Sequence, residues 1–133
     1  MQLAETRITH GAACEDSPAA QRADAIARAL MGIGNLGGFG LSETASWERG
    51  DAPAAVGRAA ISQALSTRIA PASIHIDQIV TQGKAATVSG RLNRDGTGTA
   101  LFCHIIRFTS SAGQEIAQLV SFEQPERPKR ARR

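Results

Sequence analysis

A chain of 133 residues, 42% hydrophobic and 20% charged, is long enough for one domain with a buried core and too apolar for a disordered polymer. Its net charge of +3 is misleading: "PERPKRARR" (125–133) alone carries +4, so the remainder stands at −1 and the folded body is not a nucleic-acid surface. With no tyrosine, one tryptophan and four phenylalanines, no phenol is on hand for catalysis.

Residues 1–16 lack periodicity and read as a flexible N-terminal arm or a partial first element, with the folded domain over 17–124. "GAAC" (11–14) follows no apolar stretch, so it is not a secretory signal, and no segment has the apolar length to span a bilayer. Cys14 and Cys103 form no C-x-x-C; they are either two free thiols of a reducing, cytoplasmic compartment, the reading adopted, or an oxidised pair.

Ser17-Pro18 supplies an N-cap and a first-turn proline, and Ala23, Ile26, Ala29, Leu30 and Ile33 then share one helical face. "GIGNLGGFG" (32–40) contains a literal G-x-G-x-x-G at Gly32, Gly34 and Gly37. A dinucleotide-binding turn follows a strand and opens a helix, so that phosphate meets the positive helix end. Here the glycines close a helix and would offer phosphate the negative end. They are read as a helix stop.

"TASWER" (44–49) suits a short strand broken by "GDAP". "VGRAAISQALSTRI" (56–69) is amphipathic, with Val56, Ala60, Ile61, Ala64 and Leu65 on one side and Pro71 beyond its end. Strands are expected over "ASIHIDQIVTQ", "AATVSGRLN", "TALFCHIIRFTS" and "EIAQLVSFE", with Asp95-Gly96 as a hairpin turn. Helix, strand, helix and then consecutive antiparallel strands make an α+β domain. Pro125 and Pro128 in the basic segment predict a disordered tail over 125–133; phosphate contact through its five basic residues is the alternative, disfavoured because no aromatics are interleaved.

Three features, "SWERGDAPAAVGRAAI" (46–61), "CHIIRF" followed by "SSAGQEIAQLVSFE", and the order of elements, resemble the nuclear transport factor two-like superfamily, the SnoaL-like or ketosteroid-isomerase-like cone fold. The resemblance runs from about Ala19 to Gln124. It implies a curved antiparallel sheet wrapped around N-terminal helices as a cone-shaped α+β barrel, an enclosed apolar pocket for a small organic molecule, and often a homodimer through the outer sheet face. Members include isomerases, cyclases, hydrolases and non-catalytic binders, so the fold leaves the reaction open.

Matching by strand alternation puts Arg49, with Trp47, where ketosteroid-isomerase-like members present a carboxylate base, and Glu48 away from the pocket. An arginine cannot abstract a proton. A one-residue slip would present Glu48, and Asp51 is a further carboxylate. His104 falls at the family's oxyanion-stabilising position, with Phe102, Ile106 and Phe108 on its face, while Gln118, Val120 and Phe122 are expected inward on the last strand. If the protein is an enzyme, His104 and Arg49 are the catalytic candidates and the other seven line the ligand site. Each also has a structural reading: His104 as a core histidine satisfied by neighbours, Trp47 as packing, and Arg49 paired with Glu43 or Asp51. Cys103 and His104 point to opposite faces, which disfavours a nucleophilic pair. The histidines His10, His75 and His104 lack metal-ligand spacing, so no metal or cofactor is expected. The ligand expected is one with an apolar body and an anionic or carbonyl head.

Overall fold

A computed structural model describes residues 5–36, 39–50, 52–94 and 98–126. Nine elements follow in order: β1 (Arg7–Cys14), α1 (Pro18–Leu30), β2 (Gly40–Arg49), β3 (Ala52–Val56), α2 (Arg58–Ser66), β4 (Ser73–Gln82), β5 (Ala85–Arg94), β6 (Gly98–Phe108) and β7 (Glu115–Pro125). The strands form one sheet in the order β1-β4-β5-β6-β7-β2-β3. Pairing is antiparallel except for β1 with β4 and β2 with β7. The fold is α+β, as the order of periodic segments predicts.

The Ser17 hydroxyl accepts from the Ala20 amide at 3.0 Å and Pro18 opens α1. The helix buries Ala23, Ile26, Ala29 and Leu30 on the expected face. It stops where Gly32 takes φ +100, a left-handed conformation that disfavours any side chain. A Cβ on Gly32 would also come within 2.9 Å of the Ala70 amide, so this glycine lets the end of α1 pack against the loop before β4. The glycine run is a helix stop, with Gly37 outside the described residues.

Two expectations change. The arm expected over 1–16 contains β1, which pairs parallel to β4 from Arg7 to Cys14. Its pattern is weakly apolar because it is an edge strand anchored by a polar cluster: Asp24 on α1 accepts two hydrogen bonds from Arg28, both 2.9 Å, and is bonded to His10 Nε2 at 2.8 Å. The second helix spans only Arg58–Ser66, so Val56 belongs to β3 and is 65% exposed, while Ile61 is the helix's buried residue. The Asp95-Gly96 turn and the basic tail from Arg127 onward lie outside the described residues.

A single core joins both helices to the sheet, centred on Ile26, Leu30, Trp47, Ile61, Ile76 and Ile106. β4 carries a bulge between Ile76 and Gln78, which is why its buried residues run Ile74, Ile76, Ile79 rather than in strict alternation. Gly90 lies opposite the bulge, where a methyl group would collide with the His75 carbonyl.

Candidate functional site

β7 decides where the site lies. The register of β6 with β7 shifts between Arg107 and Phe108, leaving Ala117 as an extra residue. Beyond it, Leu119 pairs with Ile106, Ser121 with His104 and Glu123 with Phe102. Directly opposed residues share a face, and Ile106, His104 and Phe102 are buried. Leu119, Ser121 and Glu123 therefore point inward. Gln118, Val120 and Phe122, expected inward, sit on the outer face opposite Arg107, Ile105 and Cys103. Apolar residues occur on both faces of β7, so composition could not reveal the slip.

On the other side of β7, Arg49 of β2 is the register partner of Ser121 and Trp47 that of Leu119. His104, Ser121 and Arg49 thus form one row across three adjacent strands, with Trp47 one step away on the same face. Glu48 is exposed, so the register adopted for "SWER" holds and the one-residue slip does not occur. Asp51 is outside the described residues.

These side chains border a cavity of about 600 Å³ together with Arg68 and Glu123. Its remaining wall includes Arg94, Ile69 and Phe122, the last 53% exposed at the rim. Phe102 and Ile106 lie in the core and Phe108 packs against it; with Gln118 and Val120 they stand off the cavity wall. The wall is accordingly more charged than the apolar pocket expected, with three guanidinium groups against one carboxylate.

His104 is 2% exposed. Its Nδ1 lies 2.7 Å from Ser121 Oγ, and the same oxygen accepts from Trp47 Nε1 at 2.9 Å. The indole N–H takes one lone pair of that oxygen, and Nδ1 is the acceptor within reach of the Ser121 hydroxyl hydrogen among the described residues, so the hydroxyl is assigned as donating to Nδ1. That assignment places the ring proton on Nε2, which has no protein partner among the described residues. Burial, reinforced by the positive charge of Arg68 and opposed by Glu123, pushes the His104 pKa down to about 3. The ring is neutral at pH 7 and offers one N–H donor.

Arg49 is held at two points. Its Nη2 donates to the Pro53 carbonyl at 3.0 Å, and its guanidinium stands 5.0 Å from the centre of the Trp47 ring. Neither Glu43 nor another described carboxylate pairs with it, and its buried Nε lacks a partner among the described residues. Arg94 instead grips Glu123 through two 2.9 Å bonds, with Arg68 at 3.7 Å from the same carboxylate. The Arg94 hydrogen bonds outweigh burial and hold the Glu123 carboxyl below its usual range. Sequence reasoning missed Ser121, Arg68, Arg94 and Glu123. The first was hidden by the β7 bulge; the others converge from β7, β5 and the loop after α2. No cluster of metal-ligating residues occurs among the described residues.

No family model and no curated protein matches the sequence. Solved structures do. An NTF2-like protein of unknown function from Burkholderia xenovorans superposes with a TM-score of 0.59 at 13% identity, over 82% of this chain and 88% of that one. A second NTF2-like protein of unknown function, from Cytophaga hutchinsonii, gives a TM-score of 0.51 at 12% identity, over 77% and 87%. Helices, strand order and neighbours agree: the chain has the NTF2-like, or nuclear transport factor two-like, fold.

Proposed function

We propose that the cavity binds a small organic molecule, with an apolar body against Trp47 and Ile69 and an oxygen-bearing head at His104. One observation carries this reading: a buried, neutral imidazole whose Nδ1 is bonded to Ser121 and whose Nε2–H lacks an acceptor among the described residues, on the wall of a cavity of about 600 Å³. A buried donor without a partner costs about 1–3 kcal/mol, which a ligand oxygen recovers.

Binding is favoured over proton transfer. A general acid or base works best with a pKa near the operating pH, whereas His104 sits near 3 and Glu123 is locked to Arg94. If catalysis occurs, His104 acts by polarising an oxygen and Arg49 by stabilising negative charge. Cys14 and Cys103 are both free, which favours a reducing, cytoplasmic setting. Among the described residues no helix is long and apolar enough to cross a membrane. Leu101, Cys103, Ile105, Val120 and Phe122 form a contiguous apolar patch on the outer face of β6 and β7, which supports a homodimer.

Trp47, the sole tryptophan, is a built-in probe. Titration with aryl-alkyl acids and ketones is expected to give a saturable fluorescence change, and His104→Phe to weaken it about tenfold, the scale of one buried hydrogen bond. Failure of every such compound to perturb Trp47 would refute the binding reading.

A further inference from the structure

Resting on that reading of the cavity, we propose that the ligand head is a carboxylate, one oxygen accepting from His104 Nε2–H and the other from Arg49 Nε–H. These two nitrogens are the buried side-chain polar atoms left without a partner among the described residues, and their residues line the same cavity. Each offers one hydrogen. Their residues flank Ser121 in register from opposite sides, so the donors come from the two neighbours of β7.

Charge narrows the class further. Arg94 and Arg68 share Glu123, whereas Arg49 faces no carboxylate among the described residues. Arg49 is half-buried with its Nε closed off, and an anionic head supplies that N–H with an acceptor and the guanidinium with a counter-charge. A ketone or amide would supply an acceptor but no charge. A phosphate would bring further oxygens and a second negative charge beside Glu123, with no further buried unpartnered donor among the described residues to meet them.

The surroundings are set up for this head. The stacking of Arg49 on Trp47 and its bond to Pro53 limit the freedom lost on binding, and the Ser121 hydroxyl fixes the donor tautomer of His104. Both nitrogens are buried, so contact requires a small swing of the Arg49 side chain about its bond to Pro53 and a matching shift beside the His104 ring.

The test uses the unmodified protein at pH 7 and Trp47 fluorescence, with 3-phenylpropanoate, 3-phenylpropanamide and 4-phenylbutan-2-one, then the same three heads on an unbranched alkyl chain. The carboxylate is expected to bind about tenfold or more tighter than either neutral head, the scale of a hydrogen bond to a charged group. Arg49→Gln should erase that advantage without weakening the ketone, and Arg49→Lys should keep part of it. A ketone or amide matching the carboxylate would overturn the carboxylate assignment while leaving the cavity a binding site. No response to any head would overturn both. Should the Arg49 variants fail to fold, the ligand series on the unmodified protein decides alone.

Discussion

Trp47 and His104, on strands two positions apart in the sheet, are hydrogen-bonded to one and the same oxygen, Oγ of Ser121, at 2.9 and 2.7 Å. One hydroxyl therefore satisfies a buried indole N–H and orders a buried imidazole. Ser121→Ala strands both groups and is expected to destabilise the protein by about 1–3 kcal/mol. Urea unfolding measures this, and the Trp47 indole proton resonance should move upfield on losing its acceptor. An unchanged resonance would mean that the hydroxyl is not the acceptor.

His104 also predicts how stability depends on pH. Its pKa is about 3 when folded, against about 6.5 when unfolded. Below pH 6.5 the unfolded chain binds a proton that the folded protein refuses, so stability falls as the solution is acidified, by about 1.4 kcal/mol per pH unit down to pH 3. Between pH 7 and pH 5 this residue's share is about 2 kcal/mol. Denaturant titrations of the unmodified protein and His104→Gln at both pH values isolate it. Equal losses in the two proteins would contradict the assignment.

Asp24 ties the edge strand β1 to α1 through His10 and Arg28. Burial alone would raise its carboxyl pKa, but hydrogen bonds from Arg28 and His10 prevail and lower it. Its stabilising effect is therefore present above the ordinary carboxylate pKa and lost as pH falls through the lowered folded value. Asp24→Ala is expected to cost about 1–3 kcal/mol, less than a fully buried pair because both partners remain partly hydrated. Amide exchange locates the effect: β1 protons should speed up far more than those of β6. Uniform acceleration of all strands would show that the cluster holds the whole core rather than the edge.

The outer patch makes a prediction about assembly. Leu101 is 43% exposed, and Cys103 lies opposite Phe122 in the register. Light scattering at micromolar concentrations should report a dimer, and Leu101→Glu with Phe122→Glu should give a folded monomer. A monomer without substitution would remove the dimer from consideration. Burial pushes the Cys103 thiol upward in pKa, so its alkylation should be slow in the dimer and faster in the double variant.

The α+β class, the start and stop of α1 and most strands could be read directly from the chain, because they depend on local chemistry: Ser17-Pro18 as a cap, a glycine with left-handed φ after the helix, and alternation in β5 and β6. "SWER" likewise placed Trp47 and Arg49 on one face, since two residues on a regular strand separate by a fixed period. Tertiary structure decided what that logic could not reach. A single extra residue at Ala117 inverts the face of everything after it on β7, replacing Gln118, Val120 and Phe122 by Leu119, Ser121 and Glu123. β1 is held by pairing with a strand far away in sequence and by a polar cluster, neither of which leaves an apolar period. The charge balance of the cavity is likewise a long-range property, because Arg68, Arg94 and Glu123 come from separate elements and meet only when the sheet assembles.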